Sequence, residues 1–264
     1  MEQLLILALI FFVISTVFSM LGLGGGILYV PILLFAGYTM KQAPAISLIL
    51  IVATSAAALS TYWRNQKVDW KLALVIDPPT DIMAFVGGYF STWVPERWLQ
   101  VLLAGVLIVA GILMLSQRLD LGRRVAAIRT RWRWTRRFGE VEYTVHLPLV
   151  LTATALIGLL SGMMGITGGF IKLPIMVLLC GVPMDIAVAT STVMVAVTAG
   201  SGLVGHAVHG TVQWSTGLTL AGAALAGGLL GSHVSIAVDK KRLKRGFGAV
   251  VLIVALRLLF QSQS

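Results

Sequence analysis

Lys172 is the one charged residue in the apolar stretch from Gly168 to Gly181, and Asp77 and Asp81 bracket Pro78 and Pro79 in another apolar stretch. A charge at membrane depth costs on the order of 2.5 to 3.5 kcal/mol on insertion scales, which marks a functional candidate unless its stem snorkels to the interface. Two adjacent prolines break or kink a helix. Either carboxylate could pair with Lys172 or take up a proton, so Asp77 and Asp81 are candidate coupling residues; the alternative is that both stand in water near a membrane face. Lys172 follows closely on a glycine-rich interruption, Gly165-Ile166-Thr167-Gly168-Gly169, closed by Pro174, and the same device stands at Gly22-Leu23-Gly24-Gly25-Gly26, closed by Pro31. A helix starting there would present unpaired N–H groups with about half a positive charge, an anion site that glycine lets a ligand approach closely. Gly24, Gly25, Gly26, Gly168 and Gly169, with Thr167 as an N-cap, are therefore candidate substrate-binding residues. Glycines also serve close helix packing in membranes, the reading preferred for Gly87, Gly88, Gly227 and Gly228. Ser47 and the run Thr190, Ser191, Thr192 sit at equivalent places in later segments, where their hydroxyls could complete an anion's coordination or bond back to the preceding turn.

Other reactive side chains are sparse. Cys180 is the sole cysteine, so an intrachain disulfide is impossible, and it reads as a core residue. His206 and His209 lie three apart, but no acidic residue or cysteine joins them at ligand spacing. These two, with His146 and His233, are expected to be solvated near an interface, and no metal or cofactor is expected. A membrane-embedded Ser/His hydrolase is the rival from another class. Ser191 and His206 lie roughly 22 Å apart if one helix carries both, while Ser191 with His233 stays open. A passive anion channel is a third reading.

The segments that position these residues dominate the chain. Of its 264 residues, 58% are hydrophobic and 11% charged, with a mean hydropathy of +0.93. Soluble domains carry roughly 25% charged residues, so this is a polytopic membrane protein. Apolar runs fall at about 3–20, 25–36, 45–62, 72–93 and 97–116, then again at 147–162, 168–180, 186–206, 215–237 and 243–260. The N-terminal run lacks a basic flank and cleavage site and reads as the first membrane segment. The second run of each half is too short to cross a bilayer alone and implies a broken or re-entrant helix, whose freed backbone groups must be covered by protein or line a cavity.

The halves repeat. Met20, Gly22, Gly25, Gly26 and Pro31 match Met163, Gly165, Gly168, Gly169 and Pro174 at an offset of 143; Gly37, Ser47, Thr54, Trp70, Gly87 and Ser91 match Gly181, Ser191, Thr198, Trp214, Gly231 and Ser235 at 144. Tyr29 is the neutral counterpart of Lys172. The expected fold is all-α, with two inverted-topology repeats of about five hydrophobic segments each: 1–116, a basic linker over 117–145, and 146–264. Orientation follows the basic residues. Arg64, Lys67 and Lys71 share a side with the linker arginines, Arg118 to Arg137, and that side is the cytoplasm. Inversion puts Lys240, Lys241, Arg242, Lys244 and Arg245 there too, with both chain ends outside, and brings the two glycine breaks towards each other mid-bilayer. Arg and Trp in the linker suit anionic headgroups of the lipid bilayer at about 1 kcal/mol per basic residue, with a surface helix around Val125 to Trp134. The net charge of +10 thus serves orientation, and no nucleic-acid partner is expected.

The stretch Met20 to Gly26 with Pro31, its echo through Pro174, the Ala-x-x-Thr-Ser pattern ending at Thr190-Ser191, and Val68-Asp69-Trp70 resemble the sulfite exporter TauE/SafE family, also described as the 4-toluenesulfonate uptake permeases. The resemblance covers both halves. It implies a secondary transporter of small sulfur-containing anions (sulfite, thiosulfate, sulfoacetate or another organosulfonate) in a prokaryotic inner membrane. The Asp77-Pro78-Pro79-Thr80-Asp81 stretch departs from the plain small-residue fourth helix that the resemblance implies.

Overall fold

The computed structural model describes residues 2–20, 26–115, 132–166, 168–210, 212–234, 249 and 251–258. In chain order the helices are α1 (Glu2–Met20), α2 (Gly26–Phe35), α3 (Ala43–Arg64), α4 (Trp70–Ile76), α5 (Pro78–Phe90) and α6 (Glu96–Leu115). A β-hairpin follows, β1 (Arg133–Phe138) and β2 (Val141–His146). Then come α7 (Leu147–Met164), α8 (Gly169–Pro174) with a π-helical turn over Ile175–Leu179, α9 (Met184–Val208) and α10 (Trp214–Val234); α11 covers 251–258. Among the described residues, α1, α3, α7, α9 and α10 are long and apolar enough to cross a membrane.

Where the apolar runs are interrupted, proline explains it. Pro78 and Pro79 supply no N–H, so the carbonyls of Leu74 and Val75 lose their helical donors and the fourth run divides at Asp77. Pro174 does the same near the end of α8, which loosens into the π turn. The 10-residue α2 is only about 15 Å long, half of a roughly 30 Å hydrocarbon core. It runs back along α1, since the Gln3 side chain donates to the Ala36 carbonyl at 2.8 Å.

Two sets of parallel helices form the bundle. In one, α1, α3 and α10 run together: Tyr62 donates to the Ser19 carbonyl at 3.1 Å, and the Thr61 and Ser232 hydroxyls meet at 2.8 Å. In the other, α5, α7 and α9 run together, with Gly158 against Thr80, Gly162 against Ala84 and Gly205 against Phe85. The sets point opposite ways. Leu48, early in α3, faces Gly202, late in α9, while Lys67, just past α3, pairs with Asp185 at the start of α9 at 3.0 Å. Contacts recur at the sequence offset: a Cβ on Gly87 would strike the Leu159 carbonyl, and one on Gly231 would strike the Thr16 carbonyl. Without a hydrophobic drive between helices in lipid, such small residues are what let backbones approach.

The linker differs from expectation. Of the surface helix anticipated around Val125 to Trp134, residues 125–131 lie outside the described residues, and Arg133 and Trp134 belong to β1. Alternation decides this: Trp134, Arg136 and Phe138 pair with Val145, Tyr143 and Val141 on one face, while Arg133, Thr135 and Arg137 point to solvent. Gly139 closes the turn at φ 60°, the left-handed value that a two-residue hairpin loop places on glycine.

Substituting Gly87 by Ala forces its new methyl into the Leu159 backbone and is expected to destabilise the detergent-solubilised protein by about 1–3 kcal/mol. Gly105→Ala, at a position with open space around it, is expected to leave the melting temperature unchanged or slightly raised; equal melting temperatures for both variants would contradict this packing.

Candidate functional site

Lys172 sits on α8, one turn beyond Gly168, and is 1% exposed. Its stem does not snorkel: Nζ donates to the Asp77 carboxylate, with which it forms an ion pair, and to the Thr198 hydroxyl at 2.9 Å. Thr198 in turn donates to Asp81 Oδ1 at 2.8 Å. The helix break at Asp77 and the following turn of α5 therefore aim two carboxylates at one ammonium, with Thr198 between the second carboxylate and the cation. Asp77 is buried and Asp81 half-buried.

A neutral version of the cluster occupies the matching position. Tyr29, the counterpart of Lys172, places its hydroxyl 2.5 Å from Ser15 Oγ and 2.9 Å from Thr54 Oγ1, and Thr54 is the counterpart of Thr198. Counting along the antiparallel α3 and α9 from the facing pair Leu48 and Gly202 puts Thr54 and Thr198 within about 3 Å of one depth, midway along both helices. Thr54, Thr198, Tyr29 and Ser15 were not singled out as site residues by their types. The register match of Thr54 with Thr198 was the available signal.

The other sequence-nominated residues are placed elsewhere. Gly24, Gly25 and Thr167 lie outside the described residues. Gly26 opens α2, while Gly168 and Gly169 open α8, all buried. The flanks of the two breaks stand at opposite ends of α3. Ser19 is held by Tyr62 near its C-terminal end, and Gly165 accepts a 2.6 Å bond from Ser47 near its N-terminal end, about 22 Å away along the axis. What reaches mid-depth is Tyr29 and Lys172, partway along the returning helices. Ser47 spends its proton on Gly165, and Ser191 bonds back to the Val188 carbonyl at 3.0 Å. Thr190 accepts from the Asp69 N–H at 3.0 Å, two turns from Thr198.

The histidine expectation is corrected for His206 and His146, which are 2% and 5% exposed. At the end of α7 the Gly165 and Ile166 amides both bond to Ser161, so the Gly162 carbonyl is left without a helical donor; His206 Nε2 lies 2.9 Å from it. Tyr62 serves Ser19 in the same way at the equivalent place. Ser191 and His206 share the unbroken α9, about 22 Å apart, so that pair does not assemble, while the exposed His233 has its Nδ1 2.7 Å from the Leu229 carbonyl one turn back. Among the described residues no three His, Cys, Asp or Glu side chains group as a metal site.

Asp69 ties the hairpin to this bundle. Its carboxylate caps α4 through the Lys71 and Leu72 amides at 3.1 Å and accepts from Arg136 at 3.1 and 3.2 Å and from Tyr143. Burial alone would raise its pKa, but the bonds from Arg136, Tyr143 and the Leu72 amide, with the Arg136 charge, outweigh that and hold it below the ordinary 3.8.

Long apolar helices, with a sequestered ammonium held by the Asp77 carboxylate between them, are those of a multi-pass membrane protein, and its family and relatives are membrane transporters. The chain belongs to the sulfite exporter TauE/SafE family, whose model matches residues 7–258. It is 27% identical to the probable membrane transporter protein YunE of Bacillus subtilis, covering 97% of both chains. It is 26% identical to a probable membrane transporter protein of Xylella fastidiosa strain 9a5c, covering 92% of this chain and 90% of the relative. Against the probable membrane transporter protein YfcA of Escherichia coli it is 24% identical, covering 98% and 91%. No solved structure matches.

Lys172→Met leaves the Asp77 carboxylate buried and unpaired, which costs about 3–5 kcal/mol; adding Asp77→Asn is expected to restore most of the lost thermal stability, and failure of that rescue would mean the two do not act as a pair. For Asp69, a lowered pKa means stability that is complete above pH 3.8 and lost as pH falls through the lower folded-state value. The melting-temperature gap between wild type and Asp69→Asn is expected to be constant above that pH and to close below it.

Proposed function

We propose that the protein is a secondary transporter that moves a small sulfur-containing anion (sulfite, thiosulfate, sulfoacetate or another organosulfonate) across the prokaryotic inner membrane by alternating access. The observation that carries the reading is the buried Lys172 ammonium at mid-depth, at the junction of α5, α8 and α9. Buried polar and charged groups in membrane helices face a pathway by default, and a cation is what an oxyanion requires. Gly168, whose added Cβ would come within 3.5 Å of Lys172 Cε, and Gly169 would line the approach. The family name, sulfite exporter, points to the same class of solute, and the relatives are named as probable membrane transporters.

Alternating access needs two halves that can exchange roles. Residues 1–116 and 146–264 as inverted repeats joined by a basic cytoplasmic linker fit this requirement. Support comes from the opposite directions of the equivalent helices α3 and α9, and from the paired contacts that recur at the offset of the repeat. Arg64, Lys67 and Lys71 stand with Arg133, Arg136 and Arg137 towards one end of α3 and α4, which supports a cytoplasmic position for that end and external chain ends under the positive-inside preference.

Purified protein in liposomes is expected to show saturable uptake of radiolabelled thiosulfate or sulfite without single-channel currents. Gly168→Val, whose side chain would enter the space of Ile157, and the stable double variant Lys172→Met/Asp77→Asn are each expected to reduce that flux at least about tenfold. Undiminished flux in both would remove Lys172 and its glycine from the site.

A further inference from the structure

If the protein is an anion carrier as read above, its binding cation is already occupied. Lys172 holds Asp77 directly and reaches Asp81 through Thr198, so with both carboxylates ionised the group carries one net negative charge. A free anion brought to it would meet two carboxylates and one ammonium in a setting that screens little, where adding net charge is strongly unfavourable. We propose that Asp77 and Asp81 form a proton-coupling site, which binds one proton for each negative charge that the anion brings to Lys172, making transport an electroneutral anion–proton symport.

Charge counting sets the ratio. A sulfonate with one charge and a single proton on a carboxylate leave the group at its starting charge, as do a dianion such as thiosulfate and protons on both carboxylates. The geometry supplies the parts. Asp81 is the half-buried member and the point at which protons arrive, whereas Asp77 is buried behind it against the ammonium. Thr198 accepts an N–H from Lys172 and passes its own O–H to Asp81, so protonation of Asp81 weakens the Thr198 contact and loosens Lys172 for the anion. A proton on Asp77 Oδ1 breaks the ion pair itself. Among the described residues no other ionisable group competes. The α7 helix packed on α5 carries none; α9 contributes Asp185, paired with Lys67 at the far end, and His206, bonded to Gly162 two turns beyond Thr198; α4 contributes Lys71 at its exposed start. The matching Tyr29, Ser15 and Thr54 cluster holds no charge, which confines coupling to one of the two matching clusters.

The test uses wild-type protein in liposomes that contain a trapped pH dye, with thiosulfate and 4-toluenesulfonate as probes. Both are anions of strong acids and carry no proton themselves, so any acidification that accompanies their entry comes through the protein. The expected ratios are about one proton per 4-toluenesulfonate and about two per thiosulfate, with initial rates unaffected by an imposed potassium diffusion potential. Asp81→Asn is expected to lower the thiosulfate ratio to about one and to make that flux potential-dependent, while Tyr29→Phe leaves the ratio at about two. Saturable anion flux with no proton uptake, or one ratio for both anions, overturns the coupling and leaves the carrier reading standing. Absence of saturable flux for either anion, and for sulfite and sulfoacetate, overturns the carrier reading and this inference with it.

Discussion

Moving an ammonium and a carboxylate out of water costs several kcal/mol per ion even after relaxation, and their attraction offsets this only when geometry and further hydrogen bonds are good. The Lys172–Asp77 pair meets that condition through Thr198, which satisfies a second proton of the ammonium. Three separate helices must therefore arrive together: α8 with the cation, the α4–α5 junction with the carboxylate, α9 with the hydroxyl. Local features prepare each one. The Pro78-Pro79 step breaks the helix at Asp77, Gly168 and Gly169 start a helix that returns into the protein, and the π turn after Pro174 loosens its far end.

Holding those helices close is the task of residues without side chains. Gly158 and Gly162 of α7 lie against the backbone of α5, and Gly227 and Gly231 of α10 lie against α1. In lipid, dispersion between closely approaching backbones replaces the hydrophobic effect as the source of cohesion. The same spacing at both contacts keeps the Thr54 and Thr198 hydroxyls at one depth. One cluster holds a phenol where the other holds an ammonium, so the two matching positions differ in charge.

Away from mid-depth, polar side chains finish what helix ends leave open. His206 and Tyr62 lie against the Gly162 and Ser19 carbonyls where α7 and α1 stop, and Asp69 caps α4 while binding the hairpin. Burial of His206 follows from that duty, because an unsatisfied carbonyl in apolar surroundings costs more than desolvating a neutral imidazole that bonds to it.

Much was legible in the amino-acid order. Membrane character, the repeat, the shortness of the second segments, the proline break at Asp77 and the singularity of Lys172 all follow from local cost, because an apolar run, a missing N–H or a charge among leucines carries its penalty wherever the chain goes. Choices among partners were not legible. That Lys172 takes Asp77 instead of water, that Ser47 spends its proton on Gly165, that His206 is buried, and that the flanks of the two glycine breaks stand at opposite ends of α3 depend on residues 40 to 120 positions away. The hairpin likewise needed Asp69 as an anchor for Arg136 and Tyr143. Sequence fixes what each group must obtain from its surroundings; only the packing of helices against one another decides which neighbour supplies it, since that depends on direction and depth, which no local pattern encodes.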